Sequence, residues 1–203
     1  LAELSRRGLL LPDRLAVVMP FIERAIRFDL VRGQHSIGAH VRDAACYVCW
    51  AFSRAYSPTV MSPYIRALTN ALLITALFDR EVNCRRAASA AYQETVGRQG
   101  DQNVPNGIAI ITIADYFSVG NRVNCFTVIA ASVAALDPEL NESLMLHLAT
   151  STVRHWDREM RELAAQALAS LTPLNVAADS ILHLPNLIFH EAGHVLFSFF
   201  GRF

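Results

Sequence analysis

The chain has 203 residues, 53% hydrophobic and 18% charged, enough for one large domain or one stretch of a longer array. Its 18 acidic residues balance 18 basic ones, all arginine, so the net charge is zero. That balance excludes the basic excess that nucleic acid or an anionic membrane surface requires, so neither is expected as a partner.

The predicted elements are helical from end to end. Pro12-Asp13 opens a helix carrying Leu15, Val18, Ile22 and Ile26 at one-face spacing, and Pro20 either kinks it or marks its true first turn. Val41 to Tyr56 reads as a second helix, broken by Ser57-Pro58; Pro63 begins a third that runs to Phe78. Asn83 to Val96 is a fourth, closed by Gly97, and Gly100 to Gly107 is a loop. Asn121 to Leu136 follows, ended by Asp137-Pro138, then Leu140 to Val153 and Glu159 to Leu171, with Pro173 beyond. Period-two alternation is weak, and no hairpin of the Asn-Gly or Asp-Gly type joins two such runs, so no sheet is expected. No run of 18 uncharged apolar residues exists, so no spanning helix is expected, and no secretory signal is visible.

A period near forty residues underlies these helices. Segments beginning at Arg42, Arg85, Arg122 and Arg161 each open a helix with arginine, then small residues, then larger apolar ones, and each precedes a second apolar helix. Two helices per unit at that spacing mark a HEAT/armadillo-type α-solenoid of antiparallel pairs, in which each pair buries its apolar face only against its neighbours. Ala44, Ala45, Ala87, Ala88, Ala164 and Ala165 permit close approach of helices. Asp79 and Arg85, six apart across a unit start, resemble the HEAT pairing of a turn aspartate with the next helix's arginine. The expected organisation is a solenoid segment over 1–180 and a divergent apolar tail over 181–203. A start at Leu1 rather than Met and a stop at Phe203 inside an apolar run read as an interior slice of a longer protein.

The four cysteines fit a reducing compartment. Cys46 and Cys49 form a CxxC, but a structural zinc site needs a second ligand pair of similar spacing, and Cys84 and Cys125 stand alone. Two small apolar residues on the buried side of a helix is the better reading. Trp50 and Trp156 read as core. Nucleotide-binding and serine-nucleophile motifs are absent: no GxxxxGK[ST], no GxGxxG, no GxSxG.

Four blocks carry a more specific likeness: "VRDAACYVCWAFSRAY", "FDREVNCRRAASAAYQETVGRQG", "ADYFSVGNRVNCF" and "HWDREMRELAAQAL". In order and spacing, they resemble the tubulin-folding cofactor D (tubulin-specific chaperone D) family over roughly residues 1–173. The resemblance implies a cytosolic, cytoskeleton-associated HEAT-repeat protein that is not itself an enzyme. It implies capture of β-tubulin after the chaperonin, assembly with the other tubulin cofactors and α-tubulin, support of tubulin's GTPase, and binding of an Arf-like small GTPase. A solenoid binds through its inter-helix loops and one exposed face. Gln93 to Asn103 and Asp115 to Arg122 are therefore the candidate contact segments, with Arg98, Asp115, Tyr116, Phe117 and Arg122 as candidate partner-binding residues. Structural ion pairs and loop hydrogen bonds inside the stack are the competing role for the charged ones.

The tail departs from the family pattern. It holds His190-Glu191-Ala192-Gly193-His194, the spacing by which two histidines one helical turn apart hold zinc, with Glu191 beside them as general base. A catalytic zinc needs a third protein ligand; nine residues follow His194, and a proline at 185 separates His183 from the motif. The expectation is no cofactor and no catalytic residue, with a truncated zinc peptidase (His190 and His194 on the metal, Glu191 catalytic) as the alternative. A generic HEAT-repeat scaffold is the third reading.

Overall fold

The structure, a computed structural model, describes residues 1–33 and 35–172. It divides into two compact units, residues 1–125 and residues 126 onward. The fold is all-α, as the periodicity predicts, with one departure described below.

In the first unit, α1 (Ala2–Arg6) and α2 (Leu15–Ile26) both pack against α3 (Ala39–Ala55). A 3₁₀ turn at Pro12–Arg14 leads into α2, so Pro12 marks the start and Pro20 lies inside the helix on its exposed side. The buried stripe of α2 is Leu15, Met19, Ile22 and Ile26; Met19 takes the core place expected of Val18. Between α2 and α3 lies the departure, an antiparallel hairpin of β1 (Leu30–Arg32) and β2 (His35–Ile37), with Leu30 opposite Ile37 and Arg32 opposite His35. The expectation of no sheet is corrected here. Three-residue strands are too short to print alternation, and Gly33, at φ 64°, supplies the positive dihedral that turns the chain.

α4 (Pro58–Phe78) starts at Pro58, not Pro63: the Ser57 hydroxyl accepts from the Val60 amide, and Pro58 occupies the first turn, where its missing donor is not needed. By length and composition α4 could cross a bilayer, but most of its apolar surface is buried inside this unit. It packs against α2 and α5 (Val82–Gln99), while α5 also lies along α3. Phe52, Met61, Leu68, Leu72 and Leu77 are fully enclosed, each contributing about 1.5–3 kcal/mol of burial. The small residues Cys46, Cys49, Cys84, Ala88 and Ala91 are buried among them. Both cysteines of the CxxC therefore face the core, as expected. Burial pushes the Cys46 and Cys49 thiols up and carries Cys84 to about 12 and Cys125 to about 11, so all four remain protonated at neutral pH. α5 continues past Gly97 and stops at Gly100, whose φ of 73° is open to glycine at little cost. A short helix, α6 (Gly107–Ile113), follows.

The chain then runs through a 3₁₀ turn at Ser118–Gly120 into α7 (Arg122–Asn124), a π-helical turn (Cys125–Ile129) and α8 (Ala130–Ala134). In the second unit, α9 (Pro138–Thr150) packs on α8, and α10 (Arg158–Leu171) on both. Asp137-Pro138 ends one helix and caps the next: the Asp137 carboxylate accepts from the Glu139 amide at 2.9 Å. Phe126, Leu144, Leu148, Met160, Ala164 and Leu168 form this unit's core. Trp50 and Trp156 are only half-buried, against the expectation of core: Trp50 stacks on exposed Tyr47, and Trp156 lies tilted against His155.

Candidate functional site

Two buried arginines organise the first unit. Arg42, 6% exposed, forks onto Asp79, with Nε to Oδ2 at 2.6 Å and Nη2 to Oδ1 at 3.1 Å. Its Nη1 reaches the Phe28 carbonyl at 2.8 Å and Asp29 at 3.2 Å. Burial works against its charge, but the hydrogen bonds and attraction of Asp79 outweigh that and raise its pKa. Arg85, 2% exposed, has carbonyl partners instead: Nε donates to Val119 at 2.8 Å, Nη1 to Asp79 and Arg80 at 3.0 Å each, and Nη2 to Gly120 at 2.9 Å. Burial lowers its pKa. The expected Asp79–Arg85 pairing is thus refined. Arg85 takes the Asp79 backbone, while the carboxylate belongs to Arg42, one repeat earlier. Arg161 repeats the Arg85 pattern in the second unit, donating to the carbonyls of His155 and Trp156, six and five residues back, at 2.7 and 2.9 Å. At Arg85 and Arg161 the arginine of the period is a clamp on the preceding turn.

Arg85 therefore pins the loop that carries four of the five predicted contact residues. Asp115 is used within it: one carboxylate oxygen accepts from the Phe117 and Ser118 amides at 2.6 and 2.9 Å. This fixes the turn that lifts Tyr116 (43% exposed) and Phe117 (83% exposed) to the surface, edge to face at 5.6 Å. Arg122 opens α7, capped by Asn121, whose side chain accepts from the Asn124 amide at 3.1 Å. Arg86, beside Arg85, lies over the Tyr116 ring at 5.3 Å and against Gly120, where a Cβ would come within 2.9 Å of Nη2. A side chain at 120 would push the guanidinium aside.

Arg98 sits elsewhere, in the last turn of α5. Its Nε meets Glu94 at 2.8 Å, and Arg54 of α3 meets the same oxygen at 2.9 Å. Arg54 also covers Trp50 at 4.8 Å. Thirteen residues of helix separate Arg85 from Arg98, roughly 20 Å at 1.5 Å per residue. The two predicted contact segments hence flank opposite ends of α5 and do not form one patch. The end of α5 and the loop after it are tied down, with Gln99 donating to the Ser53 carbonyl at 3.2 Å and Asn103 to that of Pro58 at 3.1 Å.

Sequence reasoning passed over Arg86 and the Tyr47–Trp50–Arg54 stripe. The adjacent arginines Arg85-Arg86 were one available signal, since consecutive helical residues point about 100° apart and so meet different surroundings. Spacing of 47, 50 and 54 on one helix was the other. Among the described residues no group of three His, Cys, Asp or Glu side chains could hold a metal. His190, Glu191 and His194 lie outside the described residues.

Comparison with known proteins gives the site its context. Residues 1–108 match the family model described as tubulin-specific chaperone D-like, ARM repeats. The chain is 49% identical over 175 residues to the tubulin-specific chaperone D of Dictyostelium discoideum, covering 86% of the chain and 12% of that protein. It is 32% identical over 187 residues to the tubulin-folding cofactor D of Schizosaccharomyces pombe, covering 92% of the chain and 16% of that protein. The chain thus spans a small part of the length of these curated relatives. No solved structure matches it.

Proposed function

The chain belongs to the tubulin-specific chaperone D-like ARM-repeat family, and from that premise we propose that it is a repeat segment of a tubulin chaperone, supplying part of the surface that holds β-tubulin during heterodimer assembly. The observation that carries this is 49% identity over 175 residues to a protein of that name. In this reading the segment is a binding scaffold in the cytoplasm and not an enzyme. The other tubulin cofactors and an Arf-like small GTPase are further partners of the whole protein, and stimulation of tubulin's GTPase belongs to the assembled complex. No cofactor is required; zinc by elemental analysis should fall well below one per chain, and one zinc lost in His194→Ala would instead favour the peptidase alternative.

The geometry supports a division of labour. Arg42 and Arg85 fasten turns to helices with charge-assisted hydrogen bonds, so the loops they hold are pre-ordered and cost little entropy on binding. Tyr116 and Phe117, raised on such a loop, are suited to anchor a partner. The test is capture of β-tubulin by the full-length protein. The parent should retain tubulin on a column; a parent that retains none would overturn the proposal.

A further inference from the structure

The ledge at the start of α5 holds a partly buried arginine whose charge the surrounding described residues leave unmatched. Its Arg86 Nε is buried and meets no acceptor; among the described residues no carboxylate pairs with the guanidinium, and the Tyr116 ring lies under it. The other arginines that structure this region are satisfied: Arg42 by Asp79, Arg85 by four carbonyls, Arg54 and Arg98 by Glu94. Asp115, the nearest acid in the loop, is committed to two backbone amides. A half-buried cation left without a counter-charge is costly, and a ring face offsets only part of that cost. Two exposed rings, Tyr116 and Phe117, stand beside it.

We propose that Arg86, Tyr116 and Phe117 form a docking ledge for an acidic protein segment, with a carboxylate taken by the Arg86 guanidinium and a flanking apolar side chain laid on Phe117. Charge complementarity selects the occupant. The chain's zero net charge and the ledge's single guanidinium do not supply the row of cations that a nucleic-acid backbone needs. A carboxylate beside an apolar side chain matches a guanidinium beside exposed rings. The inference deepens the proposed function, and rests on it only in assigning the acidic segment to the tubulin client.

The test uses the full-length protein and a fluorescein-labelled peptide alternating glutamate and leucine, with its glutamine counterpart, read by anisotropy. The parent should bind the glutamate peptide about tenfold more tightly than the glutamine one, the scale of one charge-assisted contact. Arg86→Gln should erase that difference, Arg86→Lys should keep part of it, and Phe117→Ser should weaken both peptides alike. Phe117 is 83% exposed, so that variant folds and decides the matter if Arg86→Gln does not. Equal binding of the two peptides by the parent, or Phe117→Ser matching the parent, would overturn the inference. So would displacement of the peptide by an equal charge of inorganic phosphate, which would make the ledge a phosphate site. With β-tubulin as ligand, capture by the parent and unchanged capture by folded Arg86→Gln overturns the inference and leaves the proposed function standing. If the parent captures no tubulin, the proposed function falls and the peptide result alone decides the ledge.

Discussion

The two ends of α5 carry the same kinds of residue to different effect. At its C-terminal end, Arg98 and Arg54 share one carboxylate oxygen of Glu94, and the following loop is bonded back to the turn between α3 and α4. At its N-terminal end, Arg85 is wholly consumed in holding a loop, and that loop exposes two aromatic rings beside an arginine that has no carboxylate partner among the described residues. One end uses its charge within the stack; the other leaves a guanidinium unmatched among the described residues. Counting arginines and aromatics along the chain cannot separate the two, because the distinction lies in what each side chain already touches.

The sharpest way to break this picture is through the buried nodes. Asp79→Ala strands Arg42 without its main counter-charge, and breaking a buried pair costs about 3–5 kcal/mol. Hydrogen exchange in the full-length protein should show α3 and α5 losing protection on that scale, while replacing both residues by apolar ones of similar size should restore much of it. Arg85→Met should cost somewhat less, about 2–4 kcal/mol, because carbonyls left behind retain a second lone pair or admit water. Its signature is local: amides of residues 115–121 should exchange faster, and the aromatic ledge should lose order. If that loop stays protected, Arg85 is not what positions it.

A milder perturbation is alkaline pH. The Cys125 thiol is raised to about 11 by burial, with Arg85 pulling the other way. The unfolded thiol ionises near 8.5. Above that value the unfolded state loses a proton that the folded state keeps, so stability should fall as pH rises from about 8.5 through 11. Cys125→Ser should flatten this slope in part; an unchanged slope would mean that other groups dominate it. Smallest of all is Arg98→Glu, which places like charge one turn from Glu94. An exposed ion pair is worth at most about 1 kcal/mol, so thermal unfolding should shift by little.

Helix existence, the forty-residue period and the apolar stripes were legible, because burial enforces them along every turn. Boundaries were less so. Pro63 lies inside α4 and Gly97 inside α5, each a residue that reads as punctuation but is tolerated in context, while Pro58 and Gly100 do the punctuating. The hairpin escaped because three residues per strand leave no periodicity to read. Asp79 was correctly singled out, but Arg85 takes only its carbonyl; the guanidinium on its carboxylate comes from 37 residues away and not six. Arg86 was invisible for a related reason: lacking an acceptor is a property of the folded surroundings, not of a motif.

The claim that the Asp115–Arg122 end of α5 meets the client is tested most directly by tubulin capture with variants at both ends. Full-length protein carrying Tyr116→Ala should retain β-tubulin about tenfold less tightly than the parent, the scale of an interface anchor. Arg98→Glu, at the other end, should lose distinctly less. Equal retention by parent and Tyr116→Ala, with both folded, would contradict the account, as would a larger loss in Arg98→Glu than in Tyr116→Ala.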